Sequence, residues 1–333
     1  MTQLFNHIGI IGGGAWGTAL AMVLRRAGRD TLLWAREAEI VASINTRREN
    51  SLFLQGVALD PGIKATDNLA ALGSCDALLL AVPAQHTREI AKRIAGMAGI
   101  HAKPIILCAK GIEQKTAKLL SEIIAEELPD HPLAILSGPS FAIEVAHDKP
   151  TALTLATKDK ALGESLVKSI AARHFRLYLT DDVTGAQIGG AVKNVLAVAC
   201  GITAGCRMGE NARAALITRG LAELVRLGSA MGARVETLMG LSGLGDLVLT
   251  CSSLQSRNMS LGMALGEGTI LSDILAKRTS VTEGVFTAAS AKLLANKHKV
   301  DMPIVNAVDA VLNRGAALED TIEALLARPL RAE

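Results

Sequence analysis

A short apolar run that leads directly into a glycine-rich turn is the sequence feature that most restricts the fold of this chain. The stretch is HIGIIGGGAWGTALA, residues 7–21. Gly12, Gly14 and Gly17 fit the spacing GxGxxG, in which the first glycine permits a tight turn and the third lets a helix pack against a strand. A second strand pattern begins at Asp30. These residues therefore predict a strand, a helix and a second strand in one parallel sheet.

The rest of the first half repeats this alternation. Helical patterns occupy 15–27 and 117–127, and short apolar runs predict seven strands, at 7–12, 30–35, 77–82, 104–109, 133–137, 151–156 and 175–180. Alternation of strands and helices is typical of a doubly wound, mostly parallel α/β sheet. After about residue 184 the spacing becomes helical throughout. We predict a doubly wound Rossmann-type α/β domain over 1–184 and an all-α domain over 185–333.

Composition excludes several classes of function. The 333 residues carry a formal net charge of only +3, and no run of five basic residues occurs, so nucleic acid is not an expected partner. The apolar segment 188–204 is interrupted by Lys193 and Asn194, which argues against stable membrane insertion. Five cysteines without CxxC spacing, and the absence of HExxH, predict reduced thiols and no metal site. Without a secretory signal pattern, the expected location is the cytoplasm.

The glycine turn indicates a dinucleotide site. Gly14 would let the backbone approach a pyrophosphate, and the start of the following helix supplies amide donors and a favourable dipole. At the end of the second strand stands Arg36, whose guanidinium suits the 2′-phosphate of NADPH, whereas the adjacent Glu37 could hold a ribose and allow NADH. We therefore expect NADP or NAD, with NADPH favoured. The alternatives are a purely structural turn and a solvated Arg36.

A second group of residues carries candidates for chemistry. Lys110 follows the strand PIILCAK, at the carboxyl end where open α/β sheets bind ligands. The segment SGPSFA places Gly138, Ser140 and Ala142 after another strand. Lys193 lies in an apolar helical segment, where burial would disfavour its charged form and make it a usable acid or base. The alternative for Lys193 is a side chain that extends its ammonium to water.

The whole chain resembles the bacterial NAD(P)-dependent sn-glycerol-3-phosphate dehydrogenases. The motifs that carry the resemblance occur in the family's order between residues 12 and 284: GGGAWGTALA, LWAR, AVPAQ, AKGIE, LSGPSFA, GGAVKN, NARAALITRGLAE, GLSGLGDLVLTC, SRN and VTEG. The resemblance implies reversible hydride transfer between the nicotinamide and C2 of dihydroxyacetone phosphate, a phosphorylated triose. The product, sn-glycerol 3-phosphate, would supply the backbone of glycerophospholipids.

The resemblance also implies roles for individual residues. Lys193 would act as general acid and base, Lys110 would polarise the carbonyl and contact both ligands, and Asp246 would orient Lys193 or a substrate hydroxyl, with Asn194 and Thr250 in support. The remaining residues follow the family's binding positions. Substrate would be held by Gly138, Ser140, Ser256, Arg257 and Asn258, and cofactor by Gly12, Gly14, Ala15, Trp16, Gly17, Arg36, Lys110, Ala142, Arg257, Val281 and Glu283. Position 15 often carries serine in the family, so Ala15 lacks one hydroxyl contact.

Two other functions remain open on the sequence. A 6-phosphogluconate or β-hydroxyacid dehydrogenase also has a lysine on the first long helix after its nucleotide domain, although SRN and GLGDLVLTC argue against both. A nucleotide-sensing protein without turnover would retain the glycine turn but would not need Lys110, Lys193, Asp246 and Arg257 together. The resemblance suggests a homodimer.

Overall fold

The computed structural model describes residues 4–278 and 281–329. This part of the chain contains eight strands: β1 (His7–Ile11), β2 (Asp30–Trp34), β3 (Ile63–Thr66), β4 (Ala77–Leu80), β5 (Ile105–Leu107), β6 (Leu133–Ser137), β7 (Thr151–Ala156) and β8 (Phe175–Thr180). They form one sheet in the order β3-β2-β1-β4-β5-β6-β7-β8. All neighbouring strands are parallel except β6 and β7. The predicted doubly wound, mostly parallel sheet is therefore confirmed.

All seven predicted strands are present, and one further strand was missed. The strands β6, β7 and β8 have the predicted bounds, whereas β1, β2, β4 and β5 are shorter than predicted by one to three residues. The missed strand is β3, whose four residues IKAT alternate between buried and more exposed positions. A run of four residues with an exposed Lys64 is too short and too polar to stand out as a buried strand.

Six helices accompany the sheet: α1 (Ala15–Arg26), α2 (Ala38–Ala42), α3 (Thr87–Ala95), α4 (Leu120–Glu127), α5 (Ala142–Ala146) and α6 (Lys160–Ile170). Both faces of the sheet are buried, since Ala134 and Leu136 of β6 pack in one apolar cluster and Ile135 packs in another. Burial on both faces explains why the central strands read as continuous apolar runs. The helix predicted over 117–127 begins only at Leu120, because Ala117 has a left-handed φ of 55°.

The remainder of the described chain is helical, as predicted. It contains α7 (Val183–Gly205), α8 (Glu210–Ala230), α9 (Val235–Leu238), α10 (Asp246–Cys251), α11 (Arg257–Gly266), α12 (Leu271–Ala276), α13 (Glu283–Lys297), α14 (Pro303–Arg314) and α15 (Leu318–Leu326). A π-helical turn, Leu241–Gly245, leads directly into α10. This part of the fold therefore provides helices, and helix ends, on which side chains for chemistry are placed.

The helix α7 is a core helix. Its length and composition would suffice to cross a membrane, but 89% of its most apolar window is buried inside the protein. Glycines allow α11 to approach it closely: a Cβ at Gly201 would lie 2.1 Å from Met259 O, and one at Gly262 would lie 2.0 Å from Val198 O. Backbone contact of this kind requires glycine on both helices. The start of α11 is thus held against the helix that carries Lys193.

The chain divides into two compact units. One runs from the N-terminus to Lys110 and includes Lys118–Gln187, and the other comprises Gly111–Ala117 and the chain from Ile188 onward. Within the second unit, the Ser290 hydroxyl lies 3.4 Å from the carbonyl oxygen of Ile112. The boundary between residues 184 and 185 stays a prediction about independently folding domains.

Candidate active site

The three motif glycines of the turn after β1 differ in the space that a side chain would find at each position. Gly12 has a φ of +125°, and a Cβ there would lie 2.8 Å from the carbonyl group of Ala81. A Cβ at Gly17 would lie 2.0 Å from Gly12 O. At Gly14, by contrast, a Cβ would meet nothing within 4 Å. Packing therefore requires glycine at positions 12 and 17, whereas Gly14 leaves open space beside the backbone.

The same turn presents donors suited to an anion. Gly14 is the N-cap of α1, and no side chain caps this end of the helix. The amides of the first turn, which includes Ala15, Trp16 and Gly17, therefore have no side-chain acceptor at the helix start. The twelve-residue helix adds a dipole whose positive end lies at this turn. Open space and uncapped amides together fit the pyrophosphate of a dinucleotide.

The end of β2 carries the charges predicted to read the adenosine ribose. The side chain of Arg36 is 75% exposed, and its Nη2 lies 2.8 Å from Oε1 of Glu37, which is 30% exposed. The two side chains predicted as alternatives thus form an ion pair at the surface. A 2′-phosphate would compete with Glu37 for the Arg36 guanidinium, so the preference for NADPH stays a prediction.

Lys110 and the turn after β6 form a second cluster. The Lys110 ammonium donates to Gly138 O at 2.7 Å and lies 3.4 Å from the hydroxyl of Ser140, which itself donates to Gly138 O at 3.0 Å. Gly138 has a φ of +142°, and a Cβ there would lie 2.9 Å from Leu153. Ala142 begins α5 directly after this turn. The structure thus brings together three side-chain or backbone groups that the sequence assigned to ligand binding.

Lys193 lies in a buried polar cluster with Asp246 and Thr250. Its Nζ is 2.7 Å from Asp246 Oδ1 and 2.7 Å from Thr250 Oγ1. The exposed fractions are 7% for Lys193, 0% for Asp246 and 3% for Thr250. The Thr250 hydroxyl donates to Asp246 O at 2.6 Å, so its oxygen is oriented to accept from the lysine. The alternative prediction, in which the Lys193 ammonium extends to water, is therefore not what the structure shows.

Local backbone geometry explains how Asp246 reaches the lysine. Asp246 and Thr250 are one turn apart on α10, which follows the π-helical turn Leu241–Gly245. At Gly189, one turn before Lys193 on α7, a Cβ would lie 2.3 Å from Ser242 O. The backbones of α7 and the π-helical turn are therefore in contact. A side chain at position 189 would separate Lys193 from its carboxylate partner.

The two predicted asparagines join three helices. Asn258 donates through Nδ2 to Asn194 Oδ1 at 2.9 Å, and Asn258 Oδ1 accepts from the amide of Gly284 at 2.9 Å. Ser256 is the N-cap of α11 and accepts from Met259 N at 3.2 Å. These side chains thus hold the starts of α11 and α13 against α7. Direct contacts of Ser256 and Asn258 with a substrate phosphate stay predictions.

Arg257 is the first residue of α11 and is exposed. Its guanidinium has no hydrogen bond or ion pair with the residues that the structure describes. Glu283, the first residue of α13, is near enough to interact electrostatically with Arg257, and Val281 precedes it by two residues. The combination of an available guanidinium and the start of α11 fits a phosphate group.

The predicted residues are divided between the two units. The glycine turn and the Lys110 cluster lie in the first unit, and the Lys193 cluster lies in the second with the residues around Arg257. Sequence reasoning missed Asn50 and Glu223, two buried polar side chains whose contacts are described below. Asn50 lies outside the motifs, and Glu223 ends the motif NARAALITRGLAE, but their partners are 37 and 81 residues away in the chain, so the sequence gives no signal for either contact. Among the described residues, no group of metal-binding side chains is present.

Comparisons with known proteins agree with this arrangement. Models of the NAD-dependent glycerol-3-phosphate dehydrogenase N-terminus and C-terminus match residues 7–163 and 182–323. An NAD(P)+ glycerol-3-phosphate dehydrogenase of Parvibaculum lavamentivorans is 54% identical over 333 residues, covering 100% of both chains. One of Rhodospirillum rubrum is 54% identical over 334 residues, covering 100% of this chain and 95% of the other.

A solved structure shows the same fold over nearly the full length. The crystal structure of glycerol-3-phosphate dehydrogenase from Coxiella burnetii superposes with a TM-score of 0.93 at 39% identity, covering 97% of this chain and 99% of that one. Sequence and structure thus agree over both units. The chain belongs to the NAD-dependent glycerol-3-phosphate dehydrogenase family.

Proposed function

We propose that this protein catalyses the reversible reduction of dihydroxyacetone phosphate to sn-glycerol 3-phosphate with NADPH or NADH. Family membership supports the reaction, and the buried cluster of Lys193, Asp246 and Thr250 is the observation that carries the mechanism. In this reaction the bound nicotinamide supplies a hydride to C2 of the substrate. The ketone oxygen on C2 must then gain a proton.

Lys193 is suited to deliver that proton. Asp246, 2.7 Å away and fully buried, stabilises the ammonium form of the lysine against the loss of hydration. Thr250 accepts a hydrogen bond from the same ammonium and fixes its direction. During reduction Lys193 Nζ gives a proton to the C2 oxygen, and in the reverse direction the neutral amine accepts it from the C2 hydroxyl.

Two other cations contribute to binding. The exposed Arg257 guanidinium would bind the substrate phosphate, because its fork of N–H donors can meet two phosphate oxygens. Lys110 would polarise the substrate carbonyl from a side chain that Gly138 O and Ser140 hold in place. A polarised carbonyl has less electron density on its carbon and more on its oxygen, which favours hydride attack on the carbon.

The remaining parts of the proposal follow from the family and the composition. Arg36 favours NADPH through its charge, and Glu37 retains a route to NADH. The protein acts in the cytoplasm as a homodimer, and its product supplies glycerophospholipid synthesis. Sedimentation of the purified protein tests the dimer, since a monomer at working concentration would contradict it.

The activity is tested with purified protein, dihydroxyacetone phosphate, and NADPH or NADH in separate reactions. The expected result is cofactor oxidation that is much faster with the phosphorylated ketone than with unphosphorylated dihydroxyacetone, which serves as the control. A higher kcat/KM with NADPH than with NADH would support the assignment of Arg36. Cofactor binding without oxidation would instead indicate a nucleotide-sensing protein.

The phosphate site is tested by Arg257→Ala. Loss of charge-assisted hydrogen bonds should raise KM for dihydroxyacetone phosphate by about 10- to 100-fold and leave KM for unphosphorylated dihydroxyacetone almost unchanged. Steady-state kinetics on both ketones give this comparison. Equal effects on the two substrates would remove Arg257 from the phosphate site.

A further inference from the structure

Asn50 is a fully buried side chain that reaches the glycine turn from outside the first strand-helix-strand unit. Its exposed fraction is 0%. Its amide nitrogen lies 2.8 Å from Gly13 O and 2.8 Å from the hydroxyl oxygen of Thr18. Gly13 stands between the two fingerprint glycines Gly12 and Gly14, and Thr18 lies in the first turns of α1. One side chain thus contacts both the turn and the helix that follows it.

The hydrogen bonds define the orientation of the Asn50 amide. Its Oδ1 accepts from the backbone amide of Phe53 at 3.0 Å, so Nδ2 must face Gly13 and Thr18. The two Nδ2 protons then serve the two acceptors, Gly13 O and Thr18 Oγ1. The Thr18 hydroxyl in turn donates to Gly14 O at 2.9 Å. Every donor and acceptor in this buried chain of bonds is used consistently.

These bonds determine which way two peptide groups point. In a planar trans peptide, the C=O and the following N–H point in opposite directions. Asn50 draws Gly13 O inward, so the amide N–H of Gly14 points away from Asn50. Thr18 draws Gly14 O toward α1 through both its hydroxyl and its own amide, so the N–H of Ala15 points away from the helix.

The space beside these amides is open at Gly14, where a Cβ would meet no atom within 4 Å. No side chain caps the N-terminus of α1. The donors that Asn50 and Thr18 orient are therefore the ones available to an anion at the turn.

We propose that Asn50, acting through Gly13 O and Thr18, is a positioning residue that aims the Gly14 and Ala15 amides at the pyrophosphate of the dinucleotide. The inference rests on the cofactor part of the proposed function. Asn50 does not touch the cofactor in this account. Its effect is on how well the turn binds a diphosphate, and the chemistry at Lys193 does not depend on it.

The test compares two substitutions in this chain of bonds with a matched control. Asn50→Asp replaces the Nδ2 donor by an oxygen that repels Gly13 O, and Thr18→Val removes the hydroxyl while keeping a similar shape. The control is Asn45→Asp, because Asn45 lies on the same segment and bonds Ala65 O and Ala65 N at 2.9 Å, on β3 rather than on the turn. Urea unfolding midpoints of all variants report any general loss of stability.

Calorimetric titration with two cofactor fragments gives the decisive reading. ADP-ribose contains the pyrophosphate, and adenosine 2′-phosphate does not. Asn50→Asp should raise the Kd for ADP-ribose by about tenfold, and Thr18→Val should raise it by about threefold. Both variants should leave the Kd for adenosine 2′-phosphate within about twofold, as Asn45→Asp should for both fragments.

Other outcomes separate this inference from the proposed function. If Asn50→Asp weakens the binding of both fragments equally, or does not weaken ADP-ribose binding, the proposed role of Asn50 is overturned. If Asn50→Asp does not fold, Thr18→Val alone decides between these results. An unaltered protein that binds ADP-ribose but does not reduce dihydroxyacetone phosphate would overturn the proposed reaction and leave the Asn50 inference standing. Failure of the unaltered protein to bind ADP-ribose would overturn both.

Discussion

Two carboxylates of the helical unit, Asp246 on α10 and Glu223 on α8, are almost equally buried, with exposed fractions of 0% and 1%. Their partners differ. Asp246 faces the Lys193 ammonium at 2.7 Å. Glu223 accepts hydrogen bonds from two backbone amides, those of Ile304 at 2.7 Å and Val305 at 3.2 Å. A buried acid next to a cation can take part in proton chemistry, whereas one bound to amides mainly holds structure.

The partners of Glu223 explain why it is present. They are the first amides of α14 that need an acceptor, because Pro303 at the helix start has no N–H and the N-cap Met302 has no capping side chain. Burial raises the pKa of Glu223 to about 7, although the two amides, and more weakly Arg226, oppose the shift. Asp301 adds a small shift in the same direction as burial. Glu223 thus caps α14 from another helix.

The largest effect is expected from Lys193→Ala, which removes the cation that Asp246 faces and leaves the surroundings of Glu223 unchanged. Loss of a positioned acid should lower kcat for dihydroxyacetone phosphate reduction by about a hundredfold or more. Lys292→Ala is the matched control, since Lys292 also pairs with a buried aspartate, Asp309, at 3.2 Å. Steady-state kinetics on both variants provide the measurement. Near-normal turnover by folded Lys193→Ala would remove this lysine from the proton transfer.

Glu223→Gln should change how the free energy of unfolding depends on pH. The pKa of Glu223 is about 7 in the folded protein and 4.5 ordinarily, so between these values the folded chain holds a proton that the unfolded chain releases. The free energy of unfolding is therefore fully retained below about pH 4.5 and falls as pH rises toward 7, by up to about 3 kcal/mol from this group.

Urea unfolding of the unaltered protein and Glu223→Gln between pH 4.5 and 8 tests this expectation. The difference between the two free energies of unfolding should shift in favour of the variant as pH rises, because glutamine does not titrate. Other groups cancel in that difference. A difference that does not vary with pH would show that Glu223 carries no raised pKa, and a large fall in kcat would contradict its purely structural role.

A smaller effect is expected from Thr250→Val, which tests whether the hydroxyl beside Lys193 matters. Valine keeps the shape but cannot accept from the ammonium, so kcat should fall by about tenfold, the equivalent of one hydrogen bond. Thr203→Val is the control, because the Thr203 hydroxyl bonds along α7, to Ala199 O at 3.0 Å, rather than to Lys193. If both variants retain full kcat, the Thr250 contact does not contribute to turnover.

Much of the fold follows from local sequence pattern. Apolar runs of four or five residues, such as those at β4 and β6, identify strands because both faces of the sheet are buried there. The short strand β3 has no such pattern and depends on pairing with β2. The late start of α4 depends on a left-handed Ala117, and alanine gives no signal for that conformation.

The site divides in the same way. The glycines of the turn, Lys193 and Asp246 belong to motifs, so they could be predicted as site residues from the sequence alone. Asn50 and Glu223 bond partners 37 and 81 residues away, and neither distance nor partner can be read from spacing. Gly189 and Glu223 lie in the motifs GGAVKN and NARAALITRGLAE, but a motif does not show that Gly189 faces Ser242 O on another element. Tertiary contacts decide these positions.

The central claim is that the Lys193–Asp246 pair performs proton transfer while the buried carboxylate of Glu223 holds structure. The most direct test is kcat for dihydroxyacetone phosphate reduction by Asp246→Asn and Glu223→Gln, measured side by side at saturating NADPH and at a pH where both remain folded. We predict a fall of about tenfold to a hundredfold for Asp246→Asn and a kcat within about twofold of the unaltered protein for Glu223→Gln. Equal kcat values for the two variants would contradict the account.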